Sequence, residues 1–298
     1  MKKRFDYHVP SLGGSWALTL MLLLGGVVFG IILGFIGNLS PSYVWKAQSL
    51  SYVLMMLFPF AFIYVQSGYD SLNPLKQAVA VNAPDFGGIG TLPFFLLMIP
   101  AMLSLSILIE PATSFIPMSD RIRDLFEKIF FNTPLWDSHL STCLLAPLCE
   151  EMLCRGMIAR GIAYNRTPWK AILWSAFIFA LIHLNPWQSI PAFIIGLFFG
   201  WIYLRTRCLW VTIFLHFINN GSTMLMARLF PDMEVDSGLA DMLPRGTYLA
   251  VYFAALAVFA AIVWFLHKRL PSLKEFPRKP DEATEEAAGD AVEQDMDI

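Results

Sequence analysis

Eight stretches of this chain are apolar enough to lie in a bilayer as helices, and that fact removes most folds from consideration. A helical crossing takes about 20 mostly apolar residues. The stretches fall at about 16–36, 50–66, 92–109, 139–160, 169–184, 189–205, 208–229 and 247–268. Composition agrees with this: 56% of the residues are hydrophobic and only 15% are charged. A soluble chain carries roughly 25% charged residues. The expected fold is therefore all-α, a polytopic membrane bundle of about eight transmembrane helices occupying residues 1–270.

Charge gives the bundle a direction. With the N-terminus in the cytoplasm and eight crossings, fifteen Lys and Arg fall in cytoplasmic segments and six in outer ones. That split obeys the positive-inside rule and predicts both termini on the cytoplasmic side. Lys2, Lys3 and Arg4 resemble the start of a signal peptide. The apolar run that follows is too long for one and has no small-residue cleavage site, so a retained helix is expected. Residues 281–298 hold eight acidic residues and no basic ones. With those eight set aside, 15 of the 23 acidic residues remain against 21 basic ones. A basic body suits anionic lipid headgroups, and the reading assigns membrane lipid as a partner and no nucleic acid. The stretch 271–298, interrupted by proline and then acidic and Ala-rich, predicts a disordered cytoplasmic tail.

Two smaller features complete the survey. Between Ser119 and Phe131, Ile122, Leu125, Phe126, Ile129 and Phe130 follow helical spacing with charges between them, predicting an amphipathic helix. Cys143, Cys149, Cys154 and Cys208 lie in or beside apolar segments without paired spacing, and read as small buried hydrophobes. A thiol nucleophile at Cys149 has little support.

Ionisable residues inside apolar segments are the informative ones. A charge at mid-bilayer costs at least about 2.5–3.5 kcal/mol, so such a residue should face the bundle interior with a partner. Three clusters qualify. Glu150 and Glu151 stand side by side, and Arg155 lies four residues after Glu151, able to pair with it on one helix face. Glu150 then points about 100° away. His183 closes the apolar run Phe179-Ala180-Leu181-Ile182 just before Asn185-Pro186. His216 and Asn220 share a face one turn apart. A second carboxylate beside a satisfied Glu151–Arg155 pair is costly to keep for packing alone, whereas His183 by itself reads more readily as a capping or core residue and His216 with Asn220 equally well as a helix–helix contact. Counted inward at about 1.5 Å per residue, however, Glu150, His183 and His216 lie about 15, 20 and 12 Å from the cytoplasmic face, and three packing residues chosen at random would seldom share a depth.

A carboxylate in such a site can take a proton from water. A histidine beside it can help, and a second histidine with an amide can donate hydrogen bonds to a developing oxyanion. The rival chemistry is one zinc ion held by Glu150, His183 and His216 with a water in the fourth position. The HExxH signature of helical zinc proteases is absent. The residues alone leave both open.

The three motifs Glu150-Glu151-x-x-x-Arg155, Phe179-x-x-x-His183 and His216-x-x-x-Asn220 resemble those of the CPBP family, which includes CAAX prenyl proteases, bacteriocin-processing and Abi-type membrane proteins. Gly196-x-x-x-Gly200 and Arg205-Thr206-x-Cys208-Leu209-Trp210 resemble that family's approach to the third motif, with Cys208 where a serine or similar small residue is usual. The resemblance covers about residues 139–225. It implies an eight-helix intramembrane endopeptidase in a bacterial plasma membrane, acting on peptide or protein substrates that include prenylated ones. It further implies that Glu150 activates water with His183, that His216 and Asn220 form the oxyanion hole, and that Glu151 and Arg155 support them, with no committed cofactor. A proton-coupled transporter and a catalytically idle immunity or assembly factor are the other readings. The first would usually show inverted repeats with matching broken helices, which the sequence lacks.

Overall fold

The computed structural model describes residues 3–39, 48–114, 116, 118–127, 133–232, 234 and 236–280. Among them there is no strand. The main helices are α1 (Leu12–Leu39), α2 (Gln48–Leu72), α3 (Thr91–Ser114), α4 (Asp120–Glu127), α5 (135–165), α6 (Pro168–Leu181), α7 (Pro186–Thr206), α8 (Leu209–Leu229) and α9 (Arg245–Arg269). Their limits follow local chemistry. Thr167 and Asn185 cap α6 and α7 by accepting from Lys170 N and Gln188 N, and Pro168 and Pro186 open those helices. Arg207, left-handed at φ 51°, closes α7.

Among the described residues five helices are long and apolar enough to cross a membrane: α1, α2, α3, α7 and α9. The other three expected crossings are helical but fall short for identifiable reasons. α6 has 14 residues. α8 has 21 but carries His216, Asn219 and Asn220 at its middle. α5 is not a uniform helix. Two wide-turn π segments, Leu140–Leu145 and Met152–Ala159, flank the α-helical Ala146–Glu151. These three helices carry the ionisable residues singled out above. Irregular, polar helices are tolerated at membrane depth where protein rather than lipid surrounds them, and much of α5 from Leu153 to Tyr164 is buried.

The loops separate into two rims. On one rim the N-terminal segment, the 70–86 connection, the α5–α6 and α7–α8 turns and the chain after α9 are knitted together. Arg160, fully buried, donates to the carbonyls of Phe5, Asp6, His8, Val79 and Gly156. Tyr203 Oη donates to Val81 O at 2.9 Å, Ala83 N to Arg207 O at 2.8 Å, and Arg205 to Leu270 O at 2.6 Å. On the other rim Ser49 N donates to Asp137 Oδ1 at 3.1 Å. There too Arg123 pairs with Asp236 at 2.7 Å and Ala240 N donates to Glu110 Oε1 at 2.8 Å.

One sequence expectation changes at the C-terminal end. Residues 271–280 are packed rather than free. Leu273 and Phe276, three apart, are buried in the core that contains Tyr164 and Ile162, and Lys279 N donates to Tyr164 O at 2.9 Å. Proline punctuation was read as disorder, yet it frames a short docked turn, Leu273–Glu275. The acidic stretch 281–298 lies outside the described residues. The amphipathic helix is present as α4, with Phe126 buried against Trp187 at a ring distance of 5.7 Å. The positions expected to extend it, Ile129 to Phe131, also lie outside the described residues.

Arg160 offers a direct test of the first rim. Arg160→Met leaves those carbonyls without their common donor, and losing a buried network partner costs about 1–3 kcal/mol per unsatisfied group at most. The expected result is a lower thermal midpoint in detergent and faster proteolytic nicking before residue 12, while helix content is unchanged.

Candidate active site

α5 delivers the two carboxylates. They end its α-helical hexapeptide, Ala146–Glu151, between the two π segments. π segments inside α-helices are rare and concentrate at functional sites.

Glu151 sits at the centre of a side-chain network that engages its Oε1, while its Oε2, like Arg155 Nε, is buried without a hydrogen bond among the described residues. Its Oε1 accepts from Arg155 Nη1 at 2.9 Å and lies 3.0 Å from His216 Nδ1. Glu151 and Arg155 are both fully buried. Arg155 also donates through Nη2 to the Gly196 carbonyl at 3.2 Å. Its guanidinium lies over the rings of Phe179 and Phe199, at 4.4 and 5.2 Å, where the aromatic faces attract a cation. Gly196 is required there. A Cβ on it would meet Ala176 Cα at 3.0 Å and Arg155 Nη2 at 3.4 Å, so the small residue lets α7 approach α6.

Glu150 lies outside that network, as its rotation around the helix demands. Its Oε1 accepts from Tyr52 Oη of α2 at 2.9 Å, and its Oε2 is buried without a hydrogen bond among the described residues. No hydrogen bond joins Glu150 to His183.

His183 stands just past the last turn of α6. Its Nδ1 is 2.7 Å from the Phe179 carbonyl. A carbonyl only accepts, so Nδ1 carries the proton and Nε2 of the neutral ring keeps its lone pair. The next residue, Leu184, is left-handed at φ 56°, and Asn185 Nδ2 donates back to His183 O at 3.0 Å. A non-glycine residue held in that region is strained, and such strain gathers at sites where a side chain must be aimed. The Phe179 ring meets His183 edge-on at 5.1 Å and His216 edge-on at 5.6 Å, so one ring flanks both imidazoles.

Asn220 does not pair with His216. Its Nδ2 donates to the Thr142 carbonyl in the first π segment at 2.8 Å, and its Oδ1 accepts from Asn219 at 3.0 Å. One N–H of the amide is thereby left for another acceptor. Glu151, Arg155 and His216 are thus assembled as one unit, with His183 beside it across Phe179. Glu150 is anchored from another helix. Among the described residues no group of three His, Cys, Asp or Glu side chains converges to hold a metal ion. Glu150, His183 and His216 therefore do not fit a zinc site as they stand.

Tyr52, Phe179 as a shared flank, and the carbonyls of Thr142 and Gly196 were not identifiable as parts of this arrangement from sequence. Only the spacing of Gly196 and Gly200 hinted at close helix approach.

No curated protein and no solved structure matches the chain. Residues 132–222 match the family model described as type II CAAX prenyl endopeptidase Rce1-like. The matched segment contains Glu150, Glu151, Arg155, His183, His216 and Asn220, on α5, just after α6, and on α8. Over that segment, which holds the motif side chains, the chain is similar to the Rce1-like CAAX prenyl endopeptidases, and the match supports the resemblance to the CPBP family.

Proposed function

We propose that this protein is an intramembrane endopeptidase that hydrolyses a peptide bond of a membrane-associated substrate with water activated by Glu150 and His183. The observation that carries the reading is the pair of free acceptors. Oε2 of Glu150 and Nε2 of His183 make no hydrogen bond among the described residues, while the other polar atom of each side chain is tied to protein. Water between them loses a proton to the carboxylate as it attacks the substrate carbonyl carbon, and that proton passes to the leaving amine. The oxyanion that forms is met by the remaining N–H of Asn220 and by His216, whose Nδ1 is engaged by the Glu151 carboxylate. Glu151 and Arg155 hold His216 in place.

The substrate side has support as well. An apolar groove of about 270 Å³, lined by residues including Phe95, Leu144, Phe214 and Phe217, runs beside the α8 turn that carries His216. It suits the apolar part of a lipid-anchored peptide, in keeping with a CAAX-type substrate. The alternative of proton transport is not favoured, because Glu150 and Glu151 sit in separate hydrogen-bond networks rather than in one relay.

The test is cleavage of a fluorogenic prenylated CAAX peptide and an unprenylated control in proteoliposomes, with wild type and Glu150→Ala, with and without chelator. We expect cleavage of the prenylated peptide that needs Glu150 and survives chelation. Loss on chelation moves the chemistry to a metal, and no cleavage of either peptide sinks the CAAX-type substrate.

The rims support eight crossings, with α5, α6 and α8 completing the five apolar spans and both termini in the cytoplasm. Single cysteines at Lys274 and Asp236, in a chain lacking its own four, test this with an impermeant thiol reagent on intact cells. Only the Asp236 position should label. Labelling of both, or of Lys274 alone, removes the topology.

A further inference from the structure

Tyr52 is on α2, eighty residues before the matched segment begins, and no motif points to it. Its hydroxyl makes the only hydrogen bond of the Glu150 carboxylate among the described residues. Its ring packs against the core that holds Leu153, Met157 and Ile158 of α5. The hydroxyl is therefore carried on a side chain with two torsions, both set by packing.

We propose that Tyr52 is the positioning residue for Glu150, donating to Oε1 so that Oε2 alone is turned toward the water it activates. The inference rests on the reading of Glu150 as the water-activating carboxylate. A carboxylate presents two equivalent oxygens and rotates about its last torsion, which is broad and roughly two-fold. An unheld Glu150 would offer either oxygen in many orientations. One hydrogen bond from a neighbouring helix removes that freedom and distinguishes the oxygens. Glu151 is held in the same way by Arg155 and His216, both within the matched segment. For Glu150 the corresponding donor comes from outside it.

A residue acting through Glu150 has a signature that a helix-to-helix tie lacks. In full-length protein in proteoliposomes, Tyr52→Phe keeps the packed ring and removes the hydroxyl. We expect kcat to fall about 10–100-fold, the range found when an outer partner of a reactive group is removed, with KM and thermal midpoint little changed. Combined with Glu150→Gln, Tyr52→Phe should slow the enzyme no further. The infrared carboxylate band of Glu150, found as the difference between wild type and Glu150→Gln, should shift in Tyr52→Phe whatever the activity. A wild-type kcat, an unshifted band, or rate losses that multiply in the double variant would overturn the role of Tyr52 while leaving the endopeptidase intact. An inactive wild type, or a Glu150→Gln variant as active as wild type, overturns the functional reading and this proposal with it.

Discussion

Glu150→Gln should abolish most cleavage without harming the fold. The amide keeps the size of the side chain and an oxygen for Tyr52 to donate to, but it cannot take a proton from water. General-base catalysis is worth about 10²–10⁴ in rate, so kcat in proteoliposomes should fall by about that factor with KM nearly constant. Stability should hold or rise. The wild-type protein keeps a buried carboxylate oxygen without a partner, and an unsatisfied buried charge is a cost that a neutral amide reduces. Initial rates and thermal unfolding in detergent, run on the same preparation, decide the matter. A variant that loses activity only because its midpoint collapses would make Glu150 a packing residue. A variant that cleaves at the wild-type rate would end its role as base.

Arg155→Met is the change expected to cost most in stability. Arg155 and Glu151 are both fully buried at 2.9 Å. Removing one partner of a buried pair typically costs about 3–5 kcal/mol, because the other charge is left in a low dielectric. His216 offsets only part of this, since Glu151 Oε1 is the atom it already shares with Arg155. The Gly196 carbonyl also loses its donor. Equilibrium unfolding in mixed micelles measures the loss. Adding Glu151→Gln should recover much of it, because the stranded charge is then gone. Equal losses in the single and double variants would mean that packing of the long side chain between Phe179 and Phe199 dominates. Activity should remain low in the double variant, since His216 no longer has a carboxylate to orient it.

The helices and the motif residues were legible in sequence because both follow simple periods. Apolar runs gave the helices, five of those among the described residues being long and apolar enough to cross a membrane, and spacings of four gave Glu151 with Arg155 and placed His216 and Asn220 on one face. Spacing places side chains on one face; it does not say what they touch. The Glu151–Arg155 pair is formed as its spacing allows. His216 instead turns to Glu151 on a different helix, and Asn220 reaches the Thr142 carbonyl. Those contacts depend on how α5 and α8 pack, information that no single helix contains. The π segments were invisible for a related reason: Leu140–Leu145 and Met152–Ala159 have ordinary helix-forming side chains, and the extra residue per turn answers to their neighbours. Tyr52 was hidden because a tyrosine in an apolar helix reads as packing. At the C-terminal end, Leu273 and Phe276 are too short a pattern to outweigh the prolines around them.

The rim gathered around Arg160 has a consequence for biosynthesis. The chain is made from its N-terminus, so the carbonyls of Phe5, Asp6, His8 and Val79 must wait for Arg160, and Tyr164 must wait for Lys279. Helices α1 and α2 are therefore made before the residue that ties their ends together exists, and the last tie forms only after α9 has been made. A nascent or truncated chain ending at α9 has its crossings but lacks Leu273 and Phe276 over the core. Such a chain leaves that part of the core uncovered, and exposed apolar surface is the feature by which quality control recognises an unfinished membrane protein.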